Sequence, residues 1–418
     1  MEKALNVKQI SIKELVINRS YIKVLLATLV SRFGDSIDAL AYSWMVYMLT
    51  GSKVMMGSIL AVNAIPSIFF SVFFGGILDY LSKKKVIIIG DIARGLVVCL
   101  TAVLFLTKQL QPWHLFVLTF VTSTIEAFVK PCKSTIMPMI LKHEELMAAN
   151  SFYNSASSFA ELVGIGLAGV IISVFGIAGA LFIDGLTFFI SCLIMSTVKI
   201  PKTMLEGYTF TIKEYFSNLK EGISFITSKY MFVFCMIGLP LMNFLITPIN
   251  VLEPVYANEI MKAGPEAMSM IGMGLTLGMI LGGIILAQYG SQIQGKKLCG
   301  IGLLVFGFAY AGLSLPAIIT LDRWLVFAIP TVCFFIIGSS IPFISTPLST
   351  YLMGNTPKHL LGRVISVFTM FSSASIPVAA SLTGIISEVI QISTLFTGMG
   401  LGVVACAIFV LSSRNIDF

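Results

Sequence analysis

Three ionisable residues, Arg32, Asp35 and Asp38, interrupt the middle of an apolar run that extends from Tyr21 to Leu49. Spaced three apart, they share one side of the chain if the run is helical. Such a helix measures about 40 Å, enough to cross a bilayer with some tilt. A charge at its centre costs roughly 2.5–3.5 kcal/mol on insertion scales, so these residues point to a task inside a helix bundle or beside a wet cavity. Arg32 can neutralise one carboxylate as its counter-ion and leave the other free to titrate. The plainer alternative is an internal salt bridge that only locks helix packing. Glu161 is a second acid deep in an apolar run, about 18 Å from its start by helical rise. Burial opposes ionisation and a nearby cation favours it, so Asp35, Asp38 and Glu161 beside one arginine can be poised to load and release a proton near neutral pH. For Glu161 a hydrogen bond to a neighbouring helix is an equally good account.

Other charges lie closer to the ends of their runs. Glu126 and Lys130 are four apart with the acid first, the favoured order for a helical ion pair, and their place near the cytoplasmic end, just before Pro131, favours a structural or gating pair over a substrate site. Asp91 and Arg94 follow the cluster Lys83, Lys84 and Lys85 within nine residues and are expected to form a network with Asp79. Asp184, expected near the outer end of its run, is given no role. The second half offers Glu253 and Glu388 near run ends, Asn243 and Asn250, and many Phe and Met residues. A cavity with that lining would be apolar with a few hydrogen-bonding groups, suited to a bulky lipophilic compound. Packing and lipid contact are the commoner uses of Phe and Met stripes.

The elements that must position these groups are membrane helices. The 418 residues are 57% hydrophobic and 11% charged, against about 25% charged in soluble domains. That composition excludes a soluble globular enzyme. Twelve helical spans can be drawn, over 21–49, 54–79, 85–106, 112–134, 149–174, 177–198, 230–256, 266–289, 298–317, 323–350, 363–388 and 392–412. Most of the 27 lysines and arginines then fall on one side, while Lys53, Lys108, Lys262 and Arg323 fall on the other. This asymmetry predicts that both termini are cytoplasmic, and it assigns the net charge of +7 to topology rather than to nucleic acid. The first twenty residues are polar and basic and lead into the first span, which is expected to act as its own targeting signal without a cleavable leader. Seven cysteines lie mostly within apolar runs, and three histidines sit at loops or span ends. Neither set has metal-ligand spacing, and no phosphate-cradling loop is present, so no cofactor, enzymatic activity or ATP-driven step is expected.

Residues 199–229 form the longest polar segment, with Ile212, Phe216, Leu219, Ile223 and Ile226 at spacings of three and four, the stripe of an amphipathic helix lying on the membrane face. The chain on either side echoes itself at an offset near 215 residues. Ser134-Thr135, Lys142-His143 and Ser155–Ser158 correspond to Ser349-Thr350, Lys358-His359 and Ser372–Ser375, and Gly75-Gly76 with Lys83–Lys85 corresponds to Gly282-Gly283 with Lys296-Lys297. Two parallel repeats are therefore predicted, 1–198 and 230–418, joined by 199–229.

The segment Gly75-Gly-Ile-Leu-Asp79-Tyr-Leu-Ser-Lys83-Lys84-Lys85 resembles the loop signature between the second and third spans of the major facilitator superfamily, with Tyr80 and Ser82 where that signature usually has Arg and Gly. Gly34-Asp35, Leu49-Thr-Gly-Ser52, Pro66, Asp91-Ile-Ala-Arg94, Ala149-Asn150-Ser151 and Gly362-Arg363-Val364 extend the resemblance toward its bacterial macrolide-efflux branch. It implies an all-α membrane protein with twelve transmembrane helices in two pseudo-symmetric six-helix halves, working by alternating access on a substrate bound between them. It also implies a gate in which Asp79, Lys83, Asp91 and Arg94 latch against the chain around Arg363. The expected function is proton-coupled export of a lipophilic drug such as a macrolide, by a monomer in a bacterial cell membrane. A lysophospholipid or siderophore transporter of the same fold, or a non-transporting receptor or assembly subunit, is the alternative. The fifth span has small residues, Gly164, Gly166 and Gly169, but lacks the proline typical of drug and proton antiporters, so export rests on the resemblance.

Overall fold

The computed structural model describes residues 17–80, 82–142, 145–200, 220–221, 223–227, 230–319, 322–357 and 360–413. Among these the backbone is helical nearly throughout and forms no strand, as expected where hydrocarbon offers no water to N–H and C=O groups and each segment must satisfy its own. In chain order the helices are α1 (Arg19–Thr50), α2 (Lys53–Tyr80), α3 (Lys83–Leu106) and α4 (Pro112–Ile140), followed by the run Leu146–Ser196. That run breaks at Gly176, with φ 73° and ψ 174°, a conformation open almost only to glycine. The break separates α5 (146–175) from α6 (177–196). Then come α7 (Tyr230–Val255), a π-helical turn Tyr256–Ile260, α8 (Pro265–Tyr289), α9 (Gly295–Gly312), a short helix Leu315–Ile318, α10 (Arg323–Asn355), α11 (Leu361–Val389) and α12 (Ile392–Ser412).

The twelve long helices stand where hydropathy puts twelve spans. Ten helical stretches are long and apolar enough to cross a membrane, counting 149–196 once. Helix α1 is not among them, because Arg32, Asp35 and Asp38 dilute its apolarity.

By packing, the chain divides into two compact units, Met1–Ala41 with Phe69–Phe210 and Tyr42–Ile68 with Thr211–Phe418. The division cuts through α1 and α2. In the first unit α3 packs along α4 and along the α5–α6 run. Its core is an apolar cluster of Val24, Ala27, Ile87, Val129, Cys132, Ile136, Met195 and Val198, drawn from α1, α3, α4 and α6 and the residues just beyond α6. Tyr21 adds a tie from α1 to α5, its hydroxyl donating to the Ala149 carbonyl at 2.9 Å. In the second unit α8 packs on α10, α9 on α10 and α12, and α7 on α11. The turn segment 42–68 joins this unit through Lys53, whose Nζ donates to the Ser387 carbonyl at 3.4 Å.

Two lysines occupy equivalent places in the units. Lys84, at the start of α3, donates to the carbonyls of Ser196 and Val198 at 2.6 and 2.7 Å. Lys296, at the start of α9, donates to the carbonyl of Ser413 at 2.5 Å. Each cation thus caps the carbonyl end of the last helix of its repeat, where the helix dipole is negative. Of the amphipathic linker, 201–219, 222 and 228–229 lie outside the described residues; within 223–227, Ile226 is buried while Ser224 and Thr227 are exposed.

The closest helix approach in the second unit follows from glycine spacing. Gly274, Gly278 and Gly282 recur every four residues on α8, and Cβ atoms there would lie 2.8, 2.1 and 2.2 Å from the carbonyl oxygens of Thr331, Phe335 and Ser339 on α10. Small residues at this spacing let two membrane helices meet backbone to backbone. Gly278→Ala must push α8 off α10 and is expected to lower the thermal unfolding midpoint in detergent, an overpacking cost of about 1–3 kcal/mol. Gly283→Ala, with nothing within 4 Å of the added methyl, should not; equal behaviour of the two variants would contradict this packing.

Candidate functional site

Helix α3 carries Asp91 and Arg94 one turn apart on its buried face, 0% and 8% exposed. Arg94 gathers three other helices around itself. Its Nη2 donates to Asp35 Oδ1 of α1 at 2.8 Å and lies 3.9 Å from Glu126 Oε2 of α4. Its guanidinium carbon stands 4.3 Å from the ring centre of Phe188 on α6. A planar cation suits this position because it can bind a carboxylate at its edge and an aromatic ring on its face. Asp91 accepts a 2.8 Å hydrogen bond from Ser191 Oγ of α6. Its other oxygen lies 3.4 Å from Lys133 Nζ of α4, an ion pair without hydrogen-bond alignment.

Asp184 of α6 is 1% exposed. It lies against α1 at Gly34, where a Cβ would stand 2.4 Å from Asp184 Oδ1 and 2.0 Å from Thr187 Oγ1. No residue other than glycine fits there without moving one helix. Thr187 Oγ1 donates to the Asp184 backbone carbonyl at 2.7 Å and reaches Oδ1 at 3.3 Å. Among the described residues, Asp184 Oδ2, Asp38 Oδ1 and Arg94 Nε are buried without hydrogen-bond partners. Toward α5, Arg32 Nη2 donates to Glu161 Oε2 at 3.0 Å, with side chains 49% and 36% exposed.

Of the acids that the sequence singles out, Asp35 and Glu126 meet at Arg94, whereas Glu161 stands on Arg32. Arg32 faces Glu161 rather than Asp35 or Asp38, and the cation on Asp35 is Arg94, which was expected with Asp79. The reason is direction: Arg32 leans out of the bundle toward α5, while Asp35 faces α3. Glu126 pairs with Arg94 and not with Lys130, which is exposed and has no carboxylate within ion-pair distance among the described residues. A buried guanidinium attracts a carboxylate more strongly than a solvated ammonium one turn away. The Asp79 side chain lies outside the described residues. Lys83 is half-buried, and its neighbour Lys84 makes the helix cap. Arg363 forms an ion pair with Glu221.

In the second unit the Asn243 amide donates to Ser372 Oγ and its carbonyl at 2.9 and 3.1 Å, tying α7 to α11, whereas Asn250 is exposed. The residues missed from the sequence are Asp184, Lys133, Ser191 and Phe188. The argument applied to Asp35, an acid inside an apolar run, applies to Asp184 as well; its estimated nearness to the run's end hid it.

A family model described as Major Facilitator Superfamily matches residues 24–380. The chain belongs to that superfamily and is a multi-pass membrane protein. It is 22% identical over 360 residues to macrolide efflux protein A of Streptococcus pyogenes, covering 86% of this chain and 87% of that protein. It is also 22% identical over 411 residues to the multidrug efflux pump Tap of Mycolicibacterium fortuitum, covering 94% and 96%. The fold is similar to the crystal structure of the nucleoside transporter NupG, with TM-score 0.73 and 12% identity over 94% of this chain and 100% of that one. It is similar as well to a bacterial homologue of the iron transporter ferroportin in an inward-facing state, with TM-score 0.72 and 14% identity over 94% and 98%. These relatives and neighbours are membrane transporters.

Removing the cation at the centre of the cluster should be costly. Arg94→Ala strands Asp35 and Glu126 and is expected to lose about 3–5 kcal/mol, the usual penalty for breaking a buried pair on one side. Arg94→Lys should recover only part, because an ammonium cannot reproduce the stack on Phe188. Thermal unfolding in detergent reads the difference, and an unchanged midpoint in Arg94→Ala would contradict the geometry.

Proposed function

We propose that the chain is a secondary active transporter that exports a lipophilic drug, such as a macrolide, in exchange for protons by alternating access. The observation that carries this reading is the charge cluster of the first unit, where Asp35, Asp38, Asp91 and Asp184 lie inside the spans and outnumber Arg94 and Lys133, the cations paired with them. Charges inside membrane helices are rare and costly, and proton relays are one of the tasks that retain them. The names of the curated relatives support the drug as cargo. The bacterial cell membrane, cytoplasmic termini and a monomeric state belong to the same reading.

In this mechanism Asp35, Asp38 and Glu161 are the coupling acids, with Arg94 and Arg32 as counter-ions. A proton on Asp35 cancels the charge that holds Arg94 at 2.8 Å and leaves Glu126, now at 3.9 Å, as the stronger attraction. One protonation thus re-aims a guanidinium that touches α1, α4 and α6, and so changes which helices it binds together. Asp79, Lys83, Asp91, Lys130 and Arg363 would act at the gate. Asn250 is the better placed of the two asparagines to meet substrate, since Asn243 is engaged with Ser372.

The test is transport in proteoliposomes under an imposed pH gradient, with a radiolabelled macrolide as probe. Wild type should accumulate it against its gradient. Asp35→Asn should lose this uphill transport by at least tenfold while remaining folded. Full pH-driven accumulation by Asp35→Asn would overturn the coupling assignment.

A further inference from the structure

The acids inside the spans of the first unit are not all matched by cations. Asp35 has Arg94 at 2.8 Å, and Asp91 has Lys133 at 3.4 Å. Two acids remain, Asp38 on α1 and Asp184 on α6, each with one buried oxygen that lacks a partner among the described residues. Arg94 on α3 forms an ion pair with neither: its Nη2 is committed to Asp35, its face to Phe188, and its Nε donates to nothing among the described residues.

Gly34 sets the α1–α6 contact at Asp184. Without a Cβ it lets α6 approach until Asp184 Oδ1 fills the space a methyl would take. Asp38 follows Gly34 by four residues, one turn along on the same face. Neither carboxylate has a cation of its own among the described residues, so desolvation and like charge both favour one proton held between them. Among the described residues no group of three or more acidic, cysteine or histidine side chains is arranged to hold a metal ion.

We propose that Asp38 and Asp184 together bind one proton across the α1–α6 contact, and that this pair, with α6 supplying half of it, is a second coupling-proton site of the exporter beside Asp35. The proton comes from solvent and forms an O–H bond on one carboxyl, which then donates to the free oxygen of the other. Asp184 thereby becomes a proton-binding residue on a helix otherwise without acids in its span. The groups that tune the pair are Asp35 on the same helix, Arg94, Asp91 and the Cys99 thiol on α3, Glu126 and Lys133 on α4, and the Thr187 hydroxyl on α6. On α5 the nearest charge, Glu161, is occupied by Arg32.

This inference rests on the transport reading for the word coupling, but the proton itself can be observed without transport. Infrared difference spectra of the purified full chain in detergent, stepped from neutral to alkaline pH, should show the loss of one protonated-carboxyl C=O band in wild type. Asp38→Asn and Asp184→Asn should each abolish that band, because the introduced amide donates to the surviving carboxylate in place of the proton. Asp35→Asn should retain it. A wild-type spectrum without such a band, or a band that survives both substitutions, overturns the shared proton, and the wild-type titration needs no variant to fold. In proteoliposomes, uphill macrolide accumulation should fall at least tenfold in Asp184→Asn. Undiminished accumulation there, with the band lost, overturns the coupling role. If wild type moves no probe while showing the band, the transport reading fails and the coupling role fails with it, but the proton pair stands.

Discussion

A single guanidinium organises the first unit. Arg94 is too large and too polar to be buried for packing, and a cation among membrane helices is tolerated only where opposite charge surrounds it. That requirement draws Asp35 from α1 and Glu126 from α4 toward α3 and lays Phe188 of α6 beneath the cation. Glycines at the same level make the approach feasible: Gly34 admits α6 to α1, and Gly164 of α5 would place a Cβ 2.7 Å from the Phe33 carbonyl. The charge supplies the attraction, and the missing side chains supply the room.

The second unit solves the opposite problem. With few ionisable groups in its spans, it gains cohesion from close backbone contact along Gly274, Gly278 and Gly282 and from hydrogen bonds such as Asn243 to Ser372. One repeat is thus equipped with titratable groups, and the other with tight, mostly uncharged helix packing. Their likeness shows in the two lysines that cap α6 and α12, since a basic residue beside the carbonyl end of a helix serves in either chemical setting.

Most of the fold was legible because bilayer thickness, hydropathy and the distribution of Lys and Arg all constrain the same few lengths. The break between α5 and α6 falls at Gly176, between the spans drawn over 149–174 and 177–198. The membership of the charge cluster was legible in part: an acid in an apolar run identifies Asp35 and Asp38 whatever surrounds them. Partners were not, because spacing along one helix fixes a side and not a neighbour. Arg32 and Asp35 are three apart yet meet different helices, and Glu126 and Lys130 are four apart yet do not pair. Asp184 was hidden by an estimate of depth, and Lys133 by serving topology as well as Asp91.

The central claim is that the acids around Arg94 exchange protons when cargo binds. It is tested most directly by adding a macrolide to the purified protein in weakly buffered detergent near neutral pH and following a pH indicator. The account predicts release of about one proton per macrolide bound, with affinity weakening as pH falls because proton and cargo compete. Saturable binding with no proton released and no dependence of affinity on pH would contradict it.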